Sequence, residues 1–237
     1  MARTLNPEVH AVRRDSFVDA AQRLIGAKGY ERMSVQDVLD EVDASRGAFY
    51  HYFDSKTALL DAIVERMVDE GIATFGPSAA DPTKSALDKF EALFAGIAEY
   101  KAGQRDLILG FARAWIADEN AIVREHLRRS IVPRLEPLLL AIIEQGVAEG
   151  VFAVSSTREA ARVLVVLLQA MNEDATRLFV DVDNGVVPLG AFESRVVAYA
   201  EALERILGAE PGSLRLPGSA VIQDWYRWSQ EYRKDHS

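Results

Sequence analysis

Residues 34–56, SVQDVLDEVDASRGAFYHYFDSK, contain two short helical patterns separated by a tight turn. The apolar residues of the first pattern repeat at i, i+3, i+4 and i+7, the spacing of one buried helical face: Val35, Val38, Leu39 and Val42. Ser34 and Ser45 stand just before the two patterns, where a serine hydroxyl caps the free N–H groups of a first helical turn. The sequence therefore predicts two consecutive helices with a turn between them.

The second of these helices is predicted at Arg46–Tyr52, about two turns long, which is too short to be stable alone. Phe49 is expected to pack against the preceding helices. Four residues occupy positions where a core helix would carry aliphatic residues: Arg46, Tyr50, His51 and Tyr52. A short helix that is held by its neighbours and rich in hydrogen-bond donors is typical of a surface that contacts another molecule.

The composition excludes several classes of chemistry. The 237 residues include no cysteine, so disulfides and thiolate chemistry are ruled out. The four histidines have no histidine partner at i+3 or i+4 that would form a ligand pair, and no hydrolase or phosphate-loop motif occurs. We expect no catalytic site, no metal and no cofactor. No apolar run approaches a membrane span and no secretory signal is visible, so the cytoplasm is the expected location and a membrane is not an expected partner.

Helical periodicity continues through the chain without strand alternation, so the fold is predicted to be all-α. The segment 76–82, GPSAADP, predicts that a helix ends near Phe75 and that a domain boundary follows. This divides the chain into an N-terminal domain, 1–75, and a C-terminal helical domain, 76–237. Pro133 and Pro137 predict a restart or a kink in a later helix.

The motif in residues 34–63 resembles the DNA-binding signature of tetracycline-repressor (TetR) family transcriptional regulators. The resemblance covers residues 11–70 and is most specific at FYHYFDSK and the leucine-rich helix after it. It implies an N-terminal three-helix helix-turn-helix domain joined to a C-terminal helical domain for ligand binding and dimerisation. In a helix-turn-helix, the second helix enters the major groove of DNA.

The resemblance also implies roles for individual residues. Arg46 would read guanine edges, because its guanidinium matches the O6/N7 pair, and Gly47 would let the backbone approach the groove. The full set of implied DNA contacts is Ser34, Ser45, Arg46, Gly47, Ala48, Tyr50, His51, Tyr52 and Lys56. Two positions depart from the family pattern. Asp43 replaces a common glycine in the turn, and Ala48 replaces a frequent threonine or serine.

The charge balance runs against DNA binding. The chain carries a net charge of −9, and its first 70 residues hold nine Lys and Arg against thirteen Asp and Glu. DNA affinity would therefore depend on where a few cations are placed. The cations expected to matter are Arg3, Arg13, Arg14, Arg46 and Lys56.

The second domain is expected to bind a small-molecule effector and to form a homodimer. The predicted pocket residues are Phe90, Phe94, Leu109, Phe111, Trp115, Met171 and Asn172. Helices near 157–180 and 192–207 are expected to pair across a two-fold axis. A C-terminal helix with an aromatic face is predicted from Ile222, Trp225, Trp228 and Tyr232.

These expectations combine into a ligand-responsive repressor that binds a palindromic double-stranded DNA operator as a dimer. Two alternatives remain open on the sequence. One is a helical small-molecule-binding protein whose DNA-binding motif is degenerate. The other is a protein-interaction scaffold that works through the C-terminal aromatic helix.

Overall fold

Helices dominate the chain in the computed structural model, which describes residues 7–116, 121–183, 186–188, 190–217, 223–224 and 226–228. Within these ranges no residue lies in a strand, and the prediction of an all-α fold is confirmed. The helices are α1 (Pro7–Lys28), α2 (Val35–Glu41), α3 (Arg46–Tyr52), α4 (Lys56–Ala80), α5 (Ala86–Gly103), α6 (Arg105–Ile116), α7 (Ala121–Ala148), α8 (Thr157–Asp183) and α9 (Gly190–Leu207).

The first packed unit comprises the residues up to Val68 together with Gln104–Leu127. Three mutually contacting rings form its core, with centroid separations of 5.6–6.2 Å: Phe17, Phe49 and Phe53. Helix α6 packs closely on α1, because a Cβ at Gly110 would lie 2.0 Å from the backbone oxygen of Ile25. Only glycine permits this approach. The aromatic core fixes α3 from behind, and the close contact attaches α6 to α1.

The second unit comprises Asp69–Gly103 and the residues from Arg128 onward. Its core draws on α4, α5, α7, α8 and α9, and the largest fully buried residues include Phe90, Leu93, Leu139, Ile142 and Ile143. Phe152 lies in the connector between α7 and α8 and packs against Phe90. No helix in the described ranges combines the length and the apolarity that crossing a membrane requires.

Prolines lie inside two of the described helices. Helix α4 continues through Pro77 to Ala80, so the predicted end near Phe75 is wrong. Helix α7 is continuous through Pro133 and Pro137, so the helix does not restart there, and the alternative of a kink stays a prediction. All three prolines are exposed, while apolar residues beside them remain buried. Packing of the buried stripe offsets the hydrogen bond that each proline removes.

The packing units do not follow the predicted functional boundary after residue 75. Helix α6 lies in the predicted second domain, 76–237, yet it packs within the first unit. Tyr30 donates its backbone N–H to the carbonyl of Gly110 at 3.3 Å, and its ring stacks on Phe111. Packing does not measure function, so the division at residue 75 stays a prediction.

Candidate nucleic-acid interface

Helix α2 begins with a complete capping box. The Ser34 hydroxyl accepts a hydrogen bond from the backbone N–H of Asp37 at 3.2 Å, and the Asp37 carboxylate accepts one from the backbone N–H of Ser34 at 2.7 Å. Lys28 forms an ion pair with the same carboxylate at 2.7 Å. The hydrogen bond from Lys28, followed by those from Ser34, holds the pKa of Asp37 far below its usual range. The Ser34 hydroxyl also donates to this carboxylate, so the cap engages the group that was predicted to contact phosphate.

The turn between α2 and α3 contains Asp43, whose φ of 47° places it in the left-handed region. Aspartate tolerates this conformation better than most residues, which explains how it can occupy a position where glycine is common. The turn leads to Ser45, whose hydroxyl accepts a hydrogen bond from the backbone N–H of Ala48 at 3.2 Å. Both predicted N-caps are therefore present, and the two-helix prediction is confirmed.

Helix α3 buries one side chain completely, that of Phe49. Arg46, Tyr50 and His51 are exposed, and 48 % of the Tyr50 surface is open to solvent. Within the described part of the chain, the guanidinium of Arg46 has no hydrogen-bond or ion-pair partner. The helix thus turns an arginine, a phenol and an imidazole toward solvent.

Gly47 is exposed, and its surroundings do not require a glycine. A Cβ at this position would meet nothing closer than the Ser45 hydroxyl at 4.0 Å, and φ does not lie in the left-handed region. Ala48 is half-buried beside it. These two small residues leave the first turn of α3 open to close approach by another molecule.

Tyr52 has a packing role that the other polar residues of α3 lack. It is half-buried, with its ring centroid 5.7 Å from that of Phe17. The ring of His10 on α1 lies 4.6 Å from Tyr52 and 5.5 Å from His51. The sequence reasoning did not single out His10, although it stands seven residues before Phe17 and hence on the same face of α1.

Lys56, at the start of α4, is engaged within the protein. Its ammonium donates to the backbone carbonyl of Tyr30 at 2.8 Å and lies 4.2 Å from the centroid of the Tyr30 ring. Burial lowers the pKa of Lys56. At least one of the three donors of this ammonium therefore already binds the turn after α1. The predicted phosphate contact by Lys56 stays a prediction.

The residues predicted to line an effector pocket are divided between the two packed units, and their role stays a prediction. Phe90 and Phe94 are buried in the core of the second unit, whereas Phe111 packs on Tyr30 in the first unit. The side chains of Leu109 and Trp115 lie outside the described residues. Met171 and Asn172 are half-buried on α8.

Asn172 has a polar partner that the sequence reasoning missed. Lys101, at the end of α5, donates to the Asn172 side-chain oxygen at 2.5 Å. Desolvation lowers the pKa of Lys101 to about 8. A lysine in the last turn of α5 was the only signal in the sequence for this pair.

Two further predictions fall mainly outside the described residues. Arg3 lies in the undescribed N-terminal stretch. Three residues of the predicted C-terminal aromatic helix are also outside the described residues: Ile222, Trp225 and Tyr232. The described part of the chain contains no group of three or more His, Asp or Glu side chains arranged to hold a metal ion.

Residues 17–63 match the family described as "Bacterial regulatory proteins, tetR family". The chain is 23% identical over 150 residues to the HTH-type transcriptional repressor KstR2 of Rhodococcus jostii, covering 59% of this chain and 68% of that protein. It is 25% identical over 144 residues to the HTH-type transcriptional regulator EthR of Mycolicibacterium smegmatis, covering 54% and 66%. The fold resembles a crystal structure of RolR in complex with the ligand resorcinol, with a TM-score of 0.60, 15% identity, and coverage of 93% and 96%.

The caps, the left-handed turn and the exposed second helix define a helix-turn-helix DNA-binding protein. The matched domain and the relatives narrow this class further. Residues 17–63 carry the DNA-binding domain of the TetR family, and the chain is similar to transcriptional regulators that are named as repressors. Its relatives are named as regulators and not as enzymes.

Proposed function

We propose that this protein is a ligand-responsive repressor that binds a palindromic operator as a homodimer and is released by a small-molecule effector. The observation that carries the DNA side of the proposal is Arg46. It begins an exposed helix, and no described carboxylate neutralises it. An arginine with free donors at the start of a recognition helix can bind guanine O6 and N7 with both nitrogens of its fork.

The neighbouring residues supply contacts that position the protein on DNA. The Ser45 hydroxyl accepts the capping bond, and its own hydrogen has no acceptor among the described residues, so it can donate to a phosphate. Tyr50 and His51 face solvent on the same helix and can do likewise. Gly47 supports the proposal because the protein itself gives no reason for a glycine there. Tyr52 acts mainly by holding α3 against α1.

The dimer is assigned to α8 and α9, which pack together in the second unit. Valines on both helices are exposed to solvent in the isolated chain: Val163 by 50%, Val166 by 65% and Val197 by 57%. An apolar patch of this kind suits a second copy of the same surface. A dimer also doubles the base contacts, because each α3 reads one half-site.

We assign effector binding to the second domain, residues 76–237, and DNA binding to residues 1–75. The Lys101–Asn172 pair supports this assignment because it places two polar groups at the edge of an apolar helical core. Helix α6, which belongs to residues 76–237, packs on α1 within the first unit. An effector acts only through its different affinities for the DNA-bound and released states. Such a regulator works in the cytoplasm, beside the chromosome.

The test selects binding sequences from a random double-stranded DNA library and measures affinities by fluorescence anisotropy at fixed salt. We expect the wild-type protein to enrich a palindrome and Arg46→Ala to lose it. Each bidentate base contact is worth about 1–3 kcal/mol, and the dimer makes two such contacts. Binding to random DNA should change little. Failure of the wild-type protein to enrich any sequence would overturn the proposal. If Arg46→Ala binds the operator as tightly as the wild-type protein does, Arg46 does not read the operator sequence.

A further inference from the structure

The first half of α1 carries three basic residues on one face. His10, Arg13 and Arg14 stand at i, i+3 and i+4, and Phe17 completes the same face at i+7. Phe17 is fully buried in the aromatic core, so the face emerges from that core toward the N-terminus of α1. The basic residues therefore continue the face of α1 that packs against α3.

Each of the three side chains is held at the C-terminal end of α3 or at the core behind it. The His10 ring contacts the rings of His51 and Tyr52. The guanidinium carbon of Arg14 lies 5.3 Å from the centroid of Phe53, which caps α3. The guanidinium carbon of Arg13 lies 5.6 Å from the centroid of Phe17. Contacts of a cation with an aromatic face orient the group without neutralising its charge.

Three other cations in this unit pair with carboxylates. Arg23 pairs with Glu41 at 2.7 Å, Arg66 with Asp19 at 2.6 Å, and Lys28 with Asp37. By contrast, Arg13 and Arg14 form no ion pair with any carboxylate in the described part of the chain. The unit has a surplus of acidic residues, so two adjacent unpaired arginines are conspicuous. They share this property with Arg46 at the other end of α3.

We propose that His10, Arg13 and Arg14 form a phosphate-binding ridge that contacts the operator backbone beside the groove occupied by α3. The inference rests on the proposed function, because it requires α3 to enter the major groove. That groove is about 12 Å wide, so long side chains anchored at the end of an inserted helix reach the phosphates along its edge. Phosphate contacts fix orientation and add affinity without reading sequence.

The ridge accounts for binding by an acidic chain. With a net charge of −9, the protein as a whole repels DNA. Unpaired cations at both ends of α3 would confine a positive potential to the one surface that meets the groove. Such a ridge gives each protomer backbone contacts in addition to those of the helix-turn-helix itself.

The experiment measures operator affinity against salt concentration for the full-length wild-type protein and for Arg13→Gln and Arg14→Gln. Each lost phosphate contact lowers the slope of log K against log salt by about 0.9, so a dimer should lose about 1.8 per substitution. Affinity for random DNA should fall by the same factor as affinity for the operator. Arg14→Lys keeps the charge and should restore the slope. Circular dichroism melting reports whether each variant is folded.

Arg23→Gln is the matched control, because it removes an arginine of the same helix that already pairs with Glu41. We expect its slope to equal that of the wild-type protein. If Arg13→Gln and Arg14→Gln also keep the wild-type slope, the ridge is refuted while the proposed function stands. An equal loss in all three variants would likewise refute it, since net charge and not position would then be the cause. If the wild-type protein binds no selected DNA, the proposed function itself fails.

Discussion

Helices α3 and α8 use their exposed surfaces in opposite ways. Helix α3 has seven residues, buries Phe49 and exposes charged and polar side chains. Helix α8 has 27 residues and a long buried stripe, yet it exposes valines. The exposed donors of α3 suit a polar partner with phosphates and base edges, whereas the exposed valines of α8 suit an apolar protein surface.

The two helices also differ in what holds them in place. Among the described side chains of α8, five are buried: Ala160, Ala161, Leu164, Val165 and Leu168. Helix α3 has one fully buried residue, Phe49, together with the half-buried Tyr52 and its two caps, Ser45 and Phe53. A two-turn helix has little stability of its own. We infer that α3 unfolds locally when one of these contacts is removed. Removing one buried residue from α8 should lower the stability of the protein without unfolding α8 itself.

The largest effect should come from Phe49, the one fully buried residue of α3. Phe49→Ala removes a ring that contacts Phe17 and Phe53, at a cost of about 3–5 kcal/mol. Leu164→Ala in α8 should cost a similar 2–5 kcal/mol. Urea denaturation measures both. Operator binding at a temperature where both variants remain folded should be lost only in Phe49→Ala.

Phe49→Leu provides the milder test if Phe49→Ala does not fold. It keeps most of the apolar volume, so we expect intermediate stability and weakened operator binding. Equal operator binding by the Phe49 and Leu164 variants, at equal loss of stability, would show that α3 is no more dependent on its anchor than α8. The comparison would then have to be abandoned.

Sequence reasoning succeeded where structure is local. The residues of the capping box, the turn at Asp43 and the cap at Ser45 all interact within a few positions, so their types and spacing determine the two helices. It failed at Pro77, where a helix end was predicted, and of the two outcomes predicted at Pro133 the restart does not occur. A proline ends a helix only if packing does not hold the segment, and buried residues from distant helices do so here.

The interface was only partly predictable for the same reason. Arg46 and Tyr50 were predicted to contact DNA because a core helix would carry aliphatic residues at their positions. The state of Lys56 was not foreseeable, because its partner is a carbonyl 26 residues away. The contact of Arg14 with Phe53 likewise joins residues 39 positions apart, and α1 carries several arginines that look alike in sequence. Which cations are neutralised depends on tertiary contacts.

An intermediate effect should distinguish the two N-cap serines. Ser45 caps α3, and Ser156 caps α8 by accepting from the backbone N–H of Glu159 at 3.4 Å. Replacing either serine with alanine should cost about 1 kcal/mol in urea denaturation. In α3 the lost cap lowers the population of the helix that contacts DNA, so Ser45→Ala should also weaken the operator complex. Ser156→Ala should leave operator affinity unchanged.

Ser45→Gly separates the two contributions of the serine. Glycine is nearly as good an N-cap, and its substitution costs only a few tenths of a kcal/mol, but it lacks the hydroxyl proposed to bind phosphate. Restored operator affinity in Ser45→Gly would assign the loss in Ser45→Ala to helix capping. A persistent loss would assign it to the missing hydroxyl. A wild-type affinity in Ser45→Ala itself would contradict the view that α3 depends on its caps.

The smallest effect concerns the acid side of the capping box, because the Asp37 carboxylate is exposed to solvent and screened by it. The hydrogen bond from Lys28 and those from Ser34 lower the pKa of Asp37 in the folded protein. The unfolded chain therefore binds this proton more readily. The ionised carboxylate contributes its stabilisation above the ordinary aspartate pKa near 4, and that contribution is lost as the pH falls through and below this value.

Urea denaturation from pH 7 to pH 3 should show a shallower loss of stability for Asp37→Asn than for the wild-type protein. Lys28→Met removes the largest cause of the pKa shift and should flatten the same limb in part. If the wild-type and Asp37→Asn curves stay parallel, the ion pair and the capping bonds contribute nothing to the folded state, and α2 depends on Val38 and Leu39 alone.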